Sequence, residues 1–302
     1  MKAFLTGGTG FIGRPLVRAL LERGDEAVVV SRGTGDPWKD RRVRVVRGDP
    51  TRPGPWQAAV AGCEVVFNLA GAPVVDPPHR WNDRRKAEIR ESRVATTELL
   101  VEAMRVATPR PAALISQSGK DYYGSRGDAP LDETAPAGGD FLAEVCVAWE
   151  AAALQAQDIA RVTLLRTGIV LGRDGGALQP LLTPFKLGVG GPWGSGAQWW
   201  SWIHLADMVG LMLFAWERRM TGPVNVAAPG AVTVQEFARE LGHALHRPAF
   251  ARIPEAALRL ALGEAADVLL TSQRVIPARA REAGYGFRFP DLPAALADAV
   301  GG

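Results

Sequence analysis

The chain has 302 residues, of which 47% are apolar, so it can bury the core of one large α/β unit or of a main domain with a smaller lobe. Its formal net charge is only +3, and its basic residues are dispersed apart from a local cluster in segment 80–93. This balance argues against binding to nucleic acid.

The cysteines and the hydropathy pattern bear on the compartment. Cys63 and Cys146 sit in apolar surroundings without the spacing of metal ligands, which predicts buried thiols in a reducing environment. No stretch of the sequence is long and apolar enough to span a membrane. The first predicted strand begins at residue 2, which leaves no room for a signal peptide. We therefore expect a cytoplasmic protein without membrane contact.

The first residues of the chain predict a strand, a glycine-rich turn and an amphipathic helix. The apolar run 3–5 precedes glycines at positions 7, 10 and 13, and an apolar helical stripe follows at Leu16, Val17, Leu20 and Leu21. Backbone N–H groups and the positive end of such a helix can face a diphosphate. A purely structural turn is the alternative, but the strand and the helix on either side favour a nucleotide site.

The second predicted strand, 26–30, closes a βαβ unit and ends in Ser31 and Arg32. An acidic residue at this place would favour NAD, because it accepts hydrogen bonds from the ribose 2′-hydroxyl. A hydroxyl and a guanidinium suit a 2′-phosphate instead, since arginine pairs with phosphate through two parallel N–H bonds. The sequence thus favours NADP(H) over NAD(H), with a solvated loop charge as the alternative for Arg32.

Strand and helix patterns alternate through the first half of the chain. This alternation predicts an α/β fold, namely a Rossmann-like doubly wound parallel sheet with helices on both faces and a smaller C-terminal α/β lobe. The further predicted strands are 42–46, 64–69, 112–116, 162–166 and 224–226, and the further predicted helices are 56–61, 81–106, 141–159, 234–245 and 254–266.

The periodicity fails past Gly168. Segment 188–202 holds five glycines and four tryptophans, which predicts a long ordered loop, and loops of that length are more often functional than idle. We expect an NADP-binding Rossmann domain at 1–166, with a return near 203–227, and a smaller lobe at 167–302 that ends in a short apolar segment at 287–292.

Several segments together carry a family resemblance. The chain resembles the extended short-chain dehydrogenase/reductase superfamily and, within it, the epimerase family proteins related to nucleotide-sugar epimerases, with a C-terminal region of the DUF1731 type. The segments that match, in family order, are Gly7–Gly13, Ser31-Arg32, Asn68–Gly71, Arg80-Trp81 with Ser92-Arg93, Tyr122–Gly124, Gly138–Glu150, Arg166–Gly172, and Trp202–His204 with Asp207.

The resemblance implies a set of cofactor contacts at the carboxyl edge of the sheet. Leu69 and Ala70 would line the cofactor, although a strand end that needs small residues for packing is the alternative. Glu88 and Arg93 would meet its ribose and phosphate side, with a solvated helix face as the alternative. The full predicted set is Gly7, Gly10, Phe11, Ile12, Gly13, Ser31, Arg32, Leu69, Ala70, Gly71, Glu88 and Arg93.

The usual catalytic pair of this superfamily is missing. Most active relatives use Tyr-x-x-x-Lys, in which the lysine lowers the pKa of the tyrosine and holds the nicotinamide ribose. At the matching place this chain has Phe141 and Val145, and none of its lysines lies four residues after a tyrosine. Neither side chain can carry a proton, so any chemistry needs other groups.

The catalytic candidates are three residues that follow the fifth predicted strand. Ser118 is the nearest match to the family's hydrogen-bonding Ser/Thr, although the strictly aligned position is Gly119. Lys120 and Asp121 follow at the same sheet edge, where some extended dehydratases carry acidic catalytic residues. They could form an acid/base couple, since burial would shift both pKa values, or a surface ion pair.

The tryptophan-rich segment has two interpretations. Trp193, Trp199, Trp200 and Trp202 could stack on a sugar or a flat ring, or they could anchor the core. For His204 a structural role is favoured over a catalytic one. The four histidines have no paired spacing, so no metal site is expected.

Two functions are compatible with these patterns. The first is an NADP(H)-dependent oxidoreductase or epimerase that acts on a polar small molecule, with a nucleotide-linked one as an option, near Ser118 and the loop around Trp199. The second is an NADPH-binding sensor or partner-binding module with little or no turnover. Nucleic-acid and membrane partners are not expected, and the oligomeric state is open, with a homodimer as one option.

Overall fold

A seven-stranded parallel sheet forms the centre of the protein. The computed structural model describes residues 1–33, 35–76 and 79–301. The strands of the described chain are β1 (Lys2–Thr6), β2 (Glu26–Ser31), β3 (Val43–Arg47), β4 (Val65–Asn68), β5 (Ala113–Gly119), β6 (Pro130–Leu131), β7 (Arg161–Thr167), β8 (Ile169–Leu171), β9 (Trp199–Trp200), β10 (Trp202–His204), β11 (Gly222–Val226), β12 (Val232–Thr233) and β13 (Arg274–Val275).

Helices cover both faces of this sheet. They are α1 (Gly13–Glu22), α2 (Asp83–Val106), α3 (Phe141–Leu154), α4 (Leu178–Lys186), α5 (Leu205–Glu217), α6 (Val234–Ala244), α7 (Glu255–Leu262), α8 (Asp267–Leu270), α9 (Ala278–Glu282) and α10 (Leu292–Val300), with short 3₁₀ helices at Pro55–Val60, Lys120–Tyr123 and Gly263–Ala266. Helices α1 and α5 contact each other on one face, and α2 and α3 do so on the other. None of the helices in the described residues is long and apolar enough to cross a membrane.

The strand order is β3-β2-β1-β4-β5-β7-β11, and every neighbouring pair in this sheet is parallel. The chain moves outward from β1 to β3 and then returns to the other side of β1 with β4. The carboxyl ends of β1 and β4 therefore flank the point where the strand order reverses, which is where doubly wound sheets bind ligands. The predicted Rossmann-like fold is confirmed.

Alternate residues of each strand serve two separate cores. Phe4 of β1 packs toward the α2–α3 face with Val28, Val66, Leu100 and Leu114, which all are at most 1% exposed. Its neighbour Leu5 packs into the larger core on the opposite face. Strands buried on both faces explain why the sequence shows short apolar runs without alternation.

The sequence pattern does not predict helices α5 and α10. Helix α5 is buried along most of its length, and the buried residues are Asp207, Met208, Val209, Leu211, Met212, Leu213 and Ala215. A helix that is apolar nearly all round lacks the polar stripe that reveals a helical period. The short apolar segment predicted at 287–292 ends where α10 begins, so the prediction does not include this helix.

Two other predictions differ in extent. The helix predicted at 141–159 ends at Leu154. Ala156 and Ile159 still pack against the core after the end of the helix, and their apolar side chains made the predicted helix too long. The loop predicted at 188–202 contains β9 and the start of β10. Strand β9 pairs with β12 and β10 pairs with β8, so this segment is tied into small sheets outside the main one.

His204 caps helix α5, as the structural interpretation of this residue expects. Its Nδ1 accepts a hydrogen bond from the backbone N–H of Ala206 at 3.1 Å, and its ring is 5% exposed. Asp298 lies 3.2 Å from its Nε2, and Phe289 packs on its ring. Burial lowers the pKa of His204 below its ordinary value of 6.5, against the opposing pull of Asp298 and Asp207.

This cap predicts a loss of stability in mild acid. As pH falls through about 6.5, the unfolded chain binds a proton at residue 204 that the folded protein does not, so the free energy of unfolding should fall on acidification from neutral pH until the folded protein is protonated as well. His204→Asn keeps a capping side chain and should lose part of this pH dependence in urea unfolding. The exposed His243→Asn is the control and should follow the wild type; equal pH profiles for His204→Asn and the wild type would contradict the prediction.

Candidate cofactor and active site

The glycine-rich turn between β1 and α1 has three differently constrained glycines. Gly7 has φ +66°, and a Cβ there would lie 2.8 Å from the backbone carbon of Leu69. A Cβ at Gly13 would collide with the backbone of Gly7 and Gly8. A Cβ at Gly10 would meet only the Gly7 carbonyl oxygen, at 3.2 Å. Packing thus requires glycine at positions 7 and 13, while a Cβ at Gly10 would make one tight contact, with the Gly7 carbonyl oxygen.

The amino end of α1 is free to meet an anion. No side chain caps this helix, and its first turn holds no acidic residue. The helix dipole and the unpaired N–H groups of a first turn favour negative charge at this position. The geometry of the turn therefore fits a diphosphate above Gly10.

A hydrogen-bonded cluster fixes the neighbouring strand end. The hydroxyl of Thr6 donates to Oδ1 of Asn68 at 2.7 Å and accepts from the backbone N–H groups of Leu69 and Ala70 at 3.0 and 3.2 Å. Thr6 and Asn68 are both fully buried. This cluster holds the backbone of Leu69 and Ala70 against Gly7, at the place where the resemblance puts the cofactor.

An open cavity of about 490 Å³ lies beside the end of β2 and the start of α1. Ser31 and Arg32 line it, as the 2′-phosphate prediction requires, and so does Arg14, which the sequence analysis missed. Arg14 is exposed in the first turn of α1, and its Nε donates to the carbonyl of Thr9 at 2.9 Å. Its place in the sequence, as a basic residue directly after Gly13, was the signal that could have indicated a phosphate contact. The other lining residues are Thr9, Gly33, Gly35, Asp36 and Pro37.

Phe11, at the tip of the turn, lies under a second glycine-rich segment. A Cβ at Gly175 or Gly176 would come within 2.8 Å of its ring, and one at Gly172 would come within 3.0 Å of both Phe11 and Leu205. The segment after β8 thus closes over the turn from the side of the C-terminal half. Ile12, the N-cap residue of α1, is partly buried beside it.

Ser118 lies in a buried polar network. Its hydroxyl donates to Oε1 of Glu150 at 2.7 Å, and Glu150 accepts two hydrogen bonds from Arg166 at 2.9 Å each. Although burial opposes the charged guanidinium, Glu150 raises the pKa of Arg166 above its ordinary value. Ser118 is 4% exposed. A catalytic role for this hydroxyl would need the bond to Glu150 to open, and it stays a prediction that the geometry does not favour.

The same network extends to Tyr123. Its hydroxyl donates to Asn225 of β11 at 2.6 Å and accepts from Arg166 at 3.2 Å. Burial raises the pKa of Tyr123 to about 12. Tyr122 lies over the guanidinium of Arg166, whose central carbon is 3.4 Å from the ring centre. Tyr123 is therefore committed to the fold and cannot replace the missing catalytic tyrosine.

Lys120 and Asp121 form a partly buried ion pair. Lys120 Nζ lies 3.3 Å from Oδ1 of Asp121, and it also donates to Oε1 of Gln273 in the C-terminal region. The side chain of Lys120 is 4% exposed, whereas that of Asp121 is 25% exposed. Asp121 is thus partly exposed just after the end of β5, and the buried Lys120 is paired with it. Gln273 is 153 residues away in sequence, so no local pattern could have predicted it.

Apolar and cationic groups occupy the place of the missing Tyr-Lys pair. Trp81 packs edge-to-face on Phe141 with ring centres 5.2 Å apart, and Lys86 Nζ lies 5.4 Å from the Phe141 ring centre. Lys86 is also paired with Glu264. The guanidinium of Arg80, a few residues earlier, donates to the carbonyls of Leu260 and Ala261. The segment before α2 is therefore attached to the C-terminal region.

The two helix residues implied by the resemblance have different surroundings. Glu88 is exposed and pairs with Arg85 at 2.7 Å beside a second cavity of about 510 Å³, so its cofactor contact stays a prediction. Arg93 lies against Gly71 at the end of β4, where a Cβ on Gly71 would be 3.1 Å from its guanidinium carbon. The structure thus brings Arg93, but not the carboxylate of Glu88, against the predicted cofactor segment 69–71.

Most of the tryptophan-rich segment belongs to the core. Trp193, Trp200 and Trp202 are each at most 2% exposed, and the first two pack edge-to-face with Phe237. Trp199 remains partly exposed; its Nε1 donates to Asp128. Three of the four tryptophans therefore anchor the core, which is one of the two roles predicted for them. Within the described residues no group of three or more His, Cys, Asp or Glu could hold a metal ion.

Comparison with known proteins gives two family matches. The model of the NAD dependent epimerase/dehydratase family matches residues 3–227, and the domain of unknown function DUF1731 matches residues 253–299. Epimerase family protein SDR39U1 of Mus musculus is 40% identical over 99% of this chain and 100% of its own length. The chloroplastic SDR39U1 homolog of Arabidopsis thaliana is 39% identical over 98% of this chain and 86% of its own length.

A solved structure is similar along the whole chain. The crystal structure of human epimerase family protein SDR39U1 (isoform 2) with NADPH superposes with a TM-score of 0.88 at 38% identity, and the match covers 99% of each chain.

The glycine turn yields a prediction that separates packing from ligand binding. Gly13→Ala should destabilise the fold by about 1–3 kcal/mol, because the added methyl group overlaps the backbone of the turn. Gly10→Ala should destabilise the fold less than Gly13→Ala, because its methyl group meets a single carbonyl oxygen at 3.2 Å, and it should weaken the binding of NADPH where the diphosphate would approach the turn. Urea unfolding and titration with NADPH would measure both. The reverse pattern, with Gly10→Ala unstable and Gly13→Ala neutral, would contradict this geometry.

Proposed function

The chain belongs to the NAD dependent epimerase/dehydratase family, and on that premise we propose that it is an NADP(H)-dependent oxidoreductase or epimerase of a polar, nucleotide-linked small molecule. The observation that carries the choice of NADP(H) is the cavity at the end of β2, where Arg14, Arg32 and Ser31 converge beside the open amino end of α1. Two guanidiniums and a hydroxyl match the charge and the acceptors of a 2′-phosphate. The human relative that was crystallised with NADPH supports the proposal.

The chemistry would take place at the edge formed by β4, β5 and α3. Bound NADP(H) would supply or accept a hydride at its nicotinamide. Asp121, which is accessible at this edge and supported by Lys120, would hold or move the accompanying proton. Because the side chains of Phe141 and Val145 cannot carry a proton, Asp121 is the strongest candidate among the three predicted catalytic residues. Ser118 would contribute only if its bond to Glu150 opened.

A sensor function is the second candidate, and one observation favours it. The cleft edge lacks the usual Tyr-Lys pair, while Asp121 is already paired with Lys120. A protein that only reports the presence of NADPH needs no proton donor, and the attachment of Arg80 and Lys86 to the C-terminal region gives such a protein a surface that could respond. The small-molecule substrate, a homodimer and a cytoplasmic location remain predictions.

The cofactor proposal predicts a loss of selectivity. Arg32→Ala and Arg14→Ala should each weaken NADPH binding about ten- to hundredfold, because each removes a charged hydrogen bond to the 2′-phosphate, and should leave NADH binding unchanged. Titration followed by tryptophan or nicotinamide fluorescence would measure both nucleotides. Arg18→Ala is the matched control, since Arg18 is exposed one turn further along α1 and lies outside the cavity. Unchanged NADPH affinity in both variants would overturn the 2′-phosphate assignment.

The catalytic proposal predicts turnover that depends on Asp121. In a panel of UDP- and dTDP-sugars with NADP(H), at least one should be oxidised, reduced or epimerised, and Asp121→Asn should lower kcat about 10²–10⁴-fold, the usual contribution of a general acid or base. Asp128→Asn is the control, because its remaining oxygen can still accept from Trp199. Cofactor binding without turnover of any member of the panel would favour the sensor instead.

A further inference from the structure

The guanidinium of Arg93 lies partly buried at the end of β4, against Gly71. Its Nη2 donates to the carbonyl of Ala72 at 3.0 Å, and its Nη1 donates to the carbonyl of Ile89 at 2.9 Å. Its flat face lies 5.3 Å from the centre of the Trp149 ring. Burial lowers the pKa of Arg93 below its ordinary value. Within the described residues, no carboxylate forms a salt bridge with it.

Such an arrangement leaves a charge with little compensation. Carbonyl oxygens and an aromatic face solvate a guanidinium in part, but they do not neutralise it. Enclosed arginines are usually paired with a carboxylate, as Arg166 is with Glu150 on the same side of the sheet. Arg93 has no carboxylate within salt-bridge distance among the described residues, so its charge is less compensated than that of Arg166.

The strand order places this charge at one end of the cofactor cleft. The 2′-phosphate cavity lies at β2, and the diphosphate turn lies at β1. Arg93 contacts Gly71 after β4, on the opposite side of β1 from β2. A dinucleotide that crosses the sheet edge from β2 over β1 would place its nicotinamide half on the β4 side of the cleft, the side on which Arg93 lies.

Two ion pairs lie near this edge. Lys120 and Asp121 form one ion pair, and Lys86 and Glu264 form another. Arg93 has no such salt bridge among the described residues, and Asp121, which also acts on it electrostatically, is already paired with Lys120. The nicotinamide ring is cationic in NADP⁺ and neutral in NADPH, so a fixed positive charge nearby acts on the two forms differently.

We propose that the uncompensated guanidinium of Arg93 makes this site select the reduced cofactor, NADPH, over NADP⁺. The inference rests on the proposed cofactor site and adds a preference for one redox state of the nucleotide. It holds for an enzyme and for a sensor, since repulsion between Arg93 and the oxidised ring is independent of any later chemistry. Arg93 acts here as a specificity-determining residue, and the 2′-phosphate cavity sets the shared affinity for both forms.

The test compares dissociation constants for NADPH and NADP⁺ in the full-length protein. We expect wild type to bind NADPH about tenfold or more tightly than NADP⁺, as for a charge several ångströms away in a partly screened cleft. Arg93→Met should bring the two constants close together, mainly by strengthening NADP⁺. Arg93→Lys retains the charge and should keep most of the preference. Arg14→Met should weaken both forms by the same factor.

Adenosine 2′,5′-bisphosphate, which lacks the nicotinamide half, separates this effect from a structural role. Arg93→Met should bind it as wild type does, whereas a purely structural role would weaken its binding as well. Equal affinity of wild type for NADPH and NADP⁺, or an unchanged ratio in Arg93→Met, would overturn the inference while leaving the proposed cofactor intact. If Arg93→Met does not fold, the ratios of wild type and Arg93→Lys decide. If no nucleotide binds to wild type, the proposed function fails together with this inference.

Discussion

The hydrogen bond between Thr6 and Asn68 joins the two strands on which the whole cleft depends. These residues are paired in register at the carboxyl ends of β1 and β4, where the order of the sheet reverses. The same Thr6 hydroxyl holds the chain after β4, and Nδ2 of Asn68 reaches Thr97 of α2 and Ser116 of β5 at 2.8 and 3.1 Å. One buried threonine–asparagine pair thus links the end of β1, the segment after β4 and the middle of α2.

A second buried network supports the outer part of the same edge. Glu150 of α3, Arg166 of β7 and Asn225 of β11 are linked through Ser118 and Tyr123. A buried ion pair of this kind costs desolvation and contributes to stability only when its hydrogen bonds are complete. Here Ser118, for which the resemblance implies a catalytic role, donates the third hydrogen bond that Glu150 accepts. The structure thus places in a stabilising hydrogen bond a hydroxyl for which the resemblance implies a role in catalysis.

The part of the site that depends on local geometry was predictable from the sequence. The positions of Gly7, Gly10 and Gly13 follow from a strand, a turn and a helix that are adjacent in the chain, and the sheet order follows from the alternation of elements. Contacts over long separations were not predictable. The sequence pattern could not reveal that Lys120 meets Gln273, that Ser118 meets Glu150, or that helix α5 exists at all, because α5 is apolar nearly all round.

The covering of Phe11 by the segment after β8 has an evolutionary consequence. Gly175 and Gly176 have φ values of +157° and +70°, so their backbone alone favours glycine, whatever residue stands at position 11. Gly172 has no such backbone requirement, and only the Phe11 ring and Leu205 exclude a side chain there. Positions 11, 172 and 205 should therefore covary among homologues, with alanine appearing at 172 where the side chains at both 11 and 205 are smaller, while 175 and 176 keep glycine.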